Sequence, residues 1–245
     1  MTRRSMPRQQ QFPSRSRLGG ATLRCVALAL AILQALLTAG SAAAATIVVT
    51  EAADVLNACS LRVAVANANN DSGSPDCAAG DGDDRIVFAP SLVGATLTLS
   101  QDPIGITSNL TIEGPGASSL TVSGGDTQQI FVISDGTANR SNVTIEKLTL
   151  TEGFADGAAG AGGAISNEEN LTLRDMVITG NHSATSGGGI SNPGGNLLVV
   201  DSVLSANTAN SGNGGAIVST LPDGEVTLQR TTVTQNHASI GGGVS

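Results

Sequence analysis

The 245-residue chain contains no Trp, no Tyr and only four Phe. A compact globular core normally relies on a few large aromatic side chains to fill its centre. The chain is instead rich in Ala, Val, Thr, Ser and Asn and contains 31 Gly. Such a composition favours a narrow interior of small and branched side chains, which layered repeat proteins have because every layer repeats the packing of the last. It argues against a compact globule.

Basic residues are also scarce beyond the N-terminus. Six of the 12 Lys and Arg residues lie in residues 1–24, whereas all 20 acidic residues lie after residue 45. The chain after residue 45 therefore has six basic residues against 20 acids, a net charge of −14. A surface this acidic repels nucleic acids and anionic membranes and keeps a repetitive β-protein soluble. We expect no nucleic-acid partner.

The basic N-terminal segment precedes an apolar run from Cys25 to Gly40, and small residues from Ser41 to Ala45 follow. This order is typical of a secretory signal peptide. We predict a signal peptide over residues 1–45, cut near Ala45, and a secreted or outer-membrane-associated location for the remainder. A membrane anchor is the alternative, but the apolar run is short for a span of about 20 residues. No membrane span is expected in the mature part.

Two cysteines, Cys59 and Cys77, remain after the predicted signal peptide. An even number of cysteines in an exported chain favours a disulfide. Closing a loop of this length would contribute about 3 kcal/mol in the chain-entropy treatment. Two free buried thiols are the alternative.

Internal repetition is the clearest pattern in the chain. A Gly-Gly motif, followed by a small and then an aliphatic residue, recurs with its second glycines 25, 27 and 27 residues apart. These glycines are Gly163, Gly188, Gly215 and Gly242. Between them lies a second motif, with an aliphatic residue three positions before an Asn. Its copies are Ile178 to Asn181, Leu204 to Asn207 and Val233 to Asn236.

Each repeat carries three short strand signals separated by Gly, Asn, Asp and Pro, and no segment within it is periodic enough for a helix. A unit of three strands cannot bury its own apolar face. Stacked at about 4.8 Å per coil, successive units would enclose a continuous aliphatic core. We therefore predict an all-β parallel β-helix, a solenoid of about seven coils. An N-terminal cap would occupy residues 46–90 and the repeats residues 91–245, which we expect to be truncated at the C-terminus because the last repeat has no cap.

The paired motifs resemble the Gly-Gly-Ala-Ile and Phe-x-x-Asn repeats of the polymorphic outer membrane protein family, with aliphatic residues in place of the Phe. The stretch from Ala58 to Asn69 resembles the CSLREA domain, named for its Cys-Ser-Leu-Arg-Glu-Ala signature, with Val63 in the Glu position. In that group the segment precedes right-handed β-helix regions. The resemblance therefore implies a right-handed parallel β-helix.

The same N-terminal stretch predicts a short capping helix after the signal peptide. Ser60 is a suitable N-cap residue. Beyond it, Leu61, Ala64, Val65 and Ala68 share one face at i, i+3, i+4 and i+7 spacing. Such an amphipathic helix would cover the open edge of the first coil, which otherwise invites edge-to-edge pairing.

Alignment of the coils places Lys147, Asp175, Asp201 and Arg230 in one column. Asp175 and Asp201, one coil apart, are candidates for a carboxylate pair that binds Ca²⁺ or acts as acid and base on a polysaccharide. The alternative is a turn position that favours Asp. The turn interpretation needs no ligand, and we prefer it.

Other polar residues are interpreted as structural. His182 and His237 are two coils, about 10 Å, apart, too far to share one metal ion, and are predicted to be exposed turn residues. The segment 80–87 partly matches a Ca²⁺-binding nonapeptide, but that site needs stacked copies. A turn into the strand Ile86 to Phe88 is the preferred interpretation. We predict neither a metal site nor a cofactor.

The repeated asparagines predict an amide ladder along the axis through Asn181, Asn207 and Asn236. Asn167 and Asn192 would begin a second, shorter ladder. Several Asn-x-Ser/Thr sequons also occur, and we attribute them to the composition of β-turns rich in Asn and Thr rather than to glycosylation. Examples begin at Asn109, Asn142 and Asn170.

The resulting functional hypothesis is an exported, non-catalytic β-helix that serves as a surface stalk, passenger or adhesin-like module of a bacterial cell-envelope protein. Its partners would be surface glycans or proteins of host or neighbouring cells, and the sequence leaves the oligomeric state open. The alternative is a pectate-lyase-like lyase or a hydrolase acting on polysaccharides, which depends on fold analogy alone. The absence of Trp and Tyr argues against the enzyme, because sugars are usually gripped by aromatic faces.

Overall fold

The computed structural model describes residues 44–156, 161–220 and 224–245, so almost all of the predicted signal peptide lies outside the described residues. In chain order its elements are β1 (Thr46–Val49), α1 (Leu61–Asn69), β2 (Asp84–Phe88), a 3-10 helix (Pro90–Leu92), β3 (Thr96–Thr98), β4 (Ile104–Ile106), β5 (Leu110–Glu113), β6 (Thr121–Ser123), β7 (Phe131–Ile133), β8 (Asn142–Glu146), β9 (Thr149–Thr151), β10 (Phe154–Ala155), β11 (Ile165–Asn167), β12 (Asn170–Arg174), β13 (Val177–Thr179), β14 (His182–Ser183), β15 (Ile190–Asn192), β16 (Asn196–Val200), β17 (Val203–Ser205), β18 (Thr208–Ala209), β19 (Ile217–Ser219), β20 (Val226–Gln229) and β21 (Thr232–Thr234).

The strands form four sheets that run along one axis, and successive neighbours in each sheet pair in parallel. Sheet 1 has the order β1-β2-β5-β8-β12-β16-β20, and sheet 2 the order β3-β6-β9-β13-β17-β21. Sheet 3 has the order β4-β7-β11-β15-β19, and sheet 4 is β10-β14-β18. The chain passes through sheets 1, 2 and 3 once per turn, which confirms the parallel β-helix. A right-handed winding is the sense that crossovers between parallel strands almost always take.

The number of turns is smaller than expected. Sheet 3 has five strands, so about five turns are complete rather than the seven predicted. The difference arises at both ends. Strand β1 is followed by the helical cap instead of by strands of sheets 2 and 3, and after β21 the last turn contributes only isolated bridges, of which His237 and Val244 provide two.

Stacked aliphatic columns form the core. In sheet 1 one register position aligns six fully buried side chains from successive turns. They are Ile47, Ile86, Ile112, Ile145, Leu173 and Val199. The next residue in this column, Leu228 of the last turn, is 37% exposed. Alternation of inward aliphatic and outward polar residues along each strand produces this core, to which Phe131 of β7 contributes a fully buried aromatic side chain.

The Gly-Gly motif occurs where neighbouring turns approach closely. The first glycine of each pair has a positive φ, between 62° and 91° in the four copies. At the second position a Cβ on Gly188 would lie 2.4 Å from the Gly215 carbonyl oxygen, and one on Gly215 would lie 2.2 Å from that of Gly242. Any side chain there would collide with the backbone of the next turn. The motif is therefore required by backbone packing.

The N-terminal segment contains the short helix that the sequence predicted. The Ser60 hydroxyl accepts a hydrogen bond from the Val63 amide, 3.3 Å away, and α1 packs on β1, β2 and β4. At its other end the Asn69 side chain donates to the Gly105 carbonyl at 2.8 Å. Cys59 and Cys77, both buried, form the predicted disulfide, with a Cα–Cα distance of 4.7 Å.

The Asp54 carboxylate joins this cap to the first turn. The Asp54 carboxylate accepts from Arg62 at 2.7 Å and also from the backbone amides of Ser100 and Gln101. Its side chain is only 3% exposed. Burial alone would raise the pKa of Asp54, but the hydrogen bonds from Arg62 and from the two amides outweigh it and hold that pKa below its ordinary value.

Candidate functional site

The inner Asn column forms a hydrogen-bonded ladder. The Asn181 amide donates to Asn207 Oδ1, and the Asn207 amide donates to Asn236 Oδ1, each at 2.9 Å. The same oxygens accept from the backbone N–H groups of Asn181 and Asn207 at 3.1 and 2.9 Å. Asn181 and Asn207 are fully buried. The side chains therefore satisfy polar groups of adjacent turns, which links the turns at their corners.

The ladder ends at Gly153, which occupies the Asn position in the preceding turn. Its backbone N–H donates to Asn181 Oδ1 at 2.8 Å. A Cβ there would lie 2.3 Å from the Gly163 carbonyl oxygen, so no larger residue fits. A second ladder also forms, since Asn167 donates to Asn192 Oδ1 at 2.7 Å and both side chains are fully buried.

The column with the candidate carboxylate pair lies at the corner between sheets 1 and 2. All four of its members have left-handed backbone conformations, with φ between 49° and 60°. Asp is one of the non-Gly residue types that best tolerate this conformation. The backbone thus accounts for Asp175 and Asp201 as turn residues.

Asp201 is also engaged by a cation. Both its oxygens accept from Arg230 in the next turn, at 2.6 and 2.8 Å. The Arg230 hydrogen bond lowers the pKa of Asp201, and the charges of Arg230 and Arg174 contribute in the same direction. A carboxylate held ionised in this way is a poor general acid.

Farther along sheet 1, a second charged group surrounds Glu113. This carboxylate accepts from Lys147 at 2.8 Å and from Arg85, and Lys147 also lies 3.6 Å from Glu146. Lys147 and then Arg85 lower the pKa of Glu113, and Glu113 in turn raises that of Lys147. The group is an exposed ion network across three turns, a common feature of solvated sheet faces.

The outer face of sheet 1 carries a third Asn ladder, which sequence reasoning missed. Asn196 donates to Asn170 Oδ1 at 2.9 Å and Asn170 to Asn142 Oδ1 at 3.2 Å, while the Asn142 backbone donates to Asn109 Oδ1 at 2.7 Å. Asn109, Asn142 and Asn170 are the first residues of Asn-x-Thr sequons that composition alone would explain. The signal that could have revealed the ladder is an Asn at the start of the sheet 1 strand, or just before it, in four successive turns.

A shallow groove of about 390 Å³ lies on this face, where the strands β12, β16 and β20 pass one another. Amides, hydroxyls and the Glu225 carboxylate line it together with the half-buried Leu198, which replaces Thr in the outward column of Thr144, Thr172 and Thr227. Hydrogen-bonding groups around a small apolar patch, with one carboxylate at the rim, suit a polar ligand that carries no negative charge.

The two histidines differ from one another. His237 is exposed, as predicted, whereas His182 lies in β14 with a half-buried side chain, which corrects its interpretation as an exposed turn residue. The His182 ring packs on Phe154 with centroids 4.6 Å apart, and its Nδ1 lies 3.8 Å from Asp126. Because Phe154 comes from the adjacent turn, local sequence could not indicate this contact.

Within the ranges that the structure covers, no group of three or more His, Cys, Asp or Glu side chains is placed to hold a metal ion. In the same ranges, no helix has the length and apolar character required to cross a bilayer.

The stacked parallel sheets and amide ladders define a β-solenoid. Within it, the model of the Chlamydia polymorphic membrane protein (Chlamydia_PMP) repeat matches residues 175–193, which run from the corner before β13 to just after β15. The chain is thus similar to that family over one repeat. No curated protein and no solved structure shows significant similarity to it. The resemblance of the N-terminal cap to the CSLREA domain stays a prediction.

Proposed function

We propose that the chain is an exported, non-catalytic β-helix, a passenger, stalk or adhesin-like module displayed at a bacterial outer surface. The observation that carries this proposal is the match of the polymorphic membrane protein repeat to a turn of a parallel solenoid. The matching repeat is that of a family of membrane proteins, and the N-terminus with the pattern of a signal peptide would direct export. Parallel solenoids suit display because each turn contacts only its neighbours, so that length can be varied freely.

The contact surface in this proposal is the outer face of sheet 1. Its Asn ladder and Thr column present amides and hydroxyls at the regular strand spacing of about 4.8 Å, and the groove at Thr172 and Leu198 interrupts them. Surface glycans fit this chemistry better than nucleic acids or anionic lipids do, because the chain after residue 45 has a net charge of −14. Proteins of host or neighbouring cells are the second class of partner.

No contact described above favours the polysaccharide-degrading enzyme. Asp175 occupies a turn position with φ of 52°, and Asp201 is bound by Arg230. Turnover of a uronate polymer that Asp175→Ala or Asp201→Ala abolishes would nevertheless establish the enzyme and overturn the proposal.

Two measurements test the display function. The full chain, expressed in a Gram-negative host, is expected at the cell surface, where added protease degrades it in intact cells. A glycan screen of the purified protein is expected to find ligands whose binding Thr172→Arg abolishes. The matched control is Thr179→Arg, which changes an outward-facing, half-buried Thr of the same turn in sheet 2. Equal binding by both variants would exclude the face of sheet 1.

A further inference from the structure

Asp84, the first residue of β2, has a carboxylate that the described residues do not fully satisfy. The side chain is 1% exposed. Its Oδ1 accepts from the backbone amides of Ala45 and Asp81 at 3.1 and 2.8 Å. Its Oδ2 is buried without a hydrogen-bond partner, and no other side-chain atom in the described ranges is in this situation.

The groups around Oδ2 increase the free-energy cost of burying this oxygen without a partner. A Cβ on Gly80 would lie 2.4 Å from Oδ2 and 2.7 Å from the backbone oxygen of Asn67, so two acceptors border the same small space. No ion pair of Asp84 exists in the described part of the chain, and the neighbouring Arg85 binds Glu113. A buried carboxylate is stable only with a compensating charge or further donors. A cation or a further hydrogen-bond donor beside Oδ2 would supply this compensation.

The nitrogen of Ala45 is the group best placed to provide that charge. It lies 3.1 Å from Asp84 Oδ1 as a neutral amide. If the chain began at Ala45, the same nitrogen would be an ammonium group with three protons. One of these protons would keep the 3.1 Å bond to Oδ1, and the positive charge of the nitrogen would compensate the negative charge that the carboxylate shares between its two oxygens.

Small residues precede several bonds between Ser41 and Thr46, but only Ala44–Ala45 and Ala45–Thr46 have Ala at both the first and the third position before the cut, as the Ala-x-Ala form of the cleavage rule requires. Cleavage of the second bond would remove Ala45. That loss would take away its N–H bond to Asp84 and also the 2.8 Å hydrogen bond from the Arg85 amide to the Ala45 carbonyl. Cleavage of the first bond keeps both and adds the charge.

We infer that the mature protein begins at Ala45 and that its α-ammonium group is the counter-ion of the buried Asp84 carboxylate. This inference rests on the export proposed above. Hydrolysis of the Ala44–Ala45 bond consumes one water, leaves a carboxylate on Ala44 of the released peptide and an ammonium group on Ala45. Removal of the signal peptide thus gives the Asp84 carboxylate a positively charged partner. In the precursor the same carboxylate stays buried without one.

The first test is the intact mass and N-terminal sequence of the protein that a bacterial host exports from the full chain. A start at Ala45 is expected. An exported protein that starts at Thr46, or upstream of Ala45, would overturn the inference and leave export standing. A chain that stays unprocessed inside the cell would overturn the export proposal, and this inference with it.

The second test uses the sign of a stability change. In the protein that starts at Ala45, Asp84→Asn leaves the ammonium group without its partner and is expected to lower the urea midpoint. In a protein with one Gly added before Ala45, the ammonium is displaced, so the same substitution removes an unpaired buried charge and should raise the midpoint. The two proteins thus complete a double-mutant cycle.

An equal effect of Asp84→Asn in both proteins would contradict the pairing. Added Ca²⁺ provides the remaining control, since the segment 80–87 partly matches a Ca²⁺-binding motif. A Ca²⁺-dependent rise in the midpoint of both proteins that Asp84→Asn abolishes would assign Oδ2 to a metal ion and overturn the inference. No response to Ca²⁺ is expected.

Discussion

Substitution of Asn207 by Ala tests whether the inner Asn ladder stabilises the solenoid. The side chain makes four hydrogen bonds. It accepts from the backbone and the amide of Asn181 at 3.1 and 2.9 Å, and it donates to the Ile178 carbonyl and to Asn236 Oδ1, both at 2.9 Å. A buried hydrogen bond contributes about 1 kcal/mol net. We therefore expect Asn207→Ala to lower the free energy of unfolding by about 4 kcal/mol.

Urea unfolding followed by far-UV circular dichroism measures this loss, with an unchanged slope if the same surface is exposed. The matched control is Asn196→Ala in the outer ladder. Asn196 also bonds to an Asn of the preceding turn, but it is exposed to solvent, so water replaces the lost partner. Its expected cost is about 0.5 kcal/mol. If the two variants unfolded at the same urea concentration, burial of the inner ladder would not be what stabilises it.

Three further predictions follow from the cap and the corners. Ala206 has a φ of 54°, a strained conformation for Ala, and the preceding turn has Gly180 in the same position. In urea titrations Ala206→Gly should therefore raise the free energy of unfolding by about 1 kcal/mol, and Gly180→Ala should lower it. The pKa of Asp54 lies below its ordinary value of 3.8, so this group stabilises the fold fully above pH 3.8 and less as acid protonates it. In thermal melts at graded pH, Asp54→Asn should therefore remove the loss of stability that protonation of Asp54 causes. Reduction of the Cys59–Cys77 disulfide should cost about 3 kcal/mol, measured by unfolding with and without a thiol reductant; an unchanged midpoint would contradict it.

The repeat pattern was sufficient to predict the fold because each repeated residue type meets a need that recurs in every turn. Gly188 is a glycine because no Cβ fits against the next turn, and Asn207 is an asparagine because its amide bonds in two directions. The number of turns was overestimated because sequence periodicity does not show where a turn fails to close. The strand Thr46–Val49 belongs to sheet 1, yet a helix follows it.

Features that depend on contacts between different turns were harder to predict from the sequence. The position of His182 depends on Phe154, which is 28 residues away and follows Gly153, where the motif has lost its Asn. The unsatisfied oxygen of Asp84 depends on Gly80 and on the helix carbonyl of Asn67. The Asp175 and Asp201 column was visible in the sequence, but only the backbone angles and the Arg230 contact distinguish a turn from a reactive pair.

The corners of the solenoid differ in how far their length can change. In the last four turns the corner from sheet 1 to sheet 2 always has two residues, the first with a positive φ. The corner from sheet 3 back to sheet 1 has eight residues after β7, two after β11 and three after β15. Register along the axis is thus independent of the length of this second corner. Foreign peptides grafted there, for instance at Gly194, should be carried on the outside of the fold without disturbing the turns on either side.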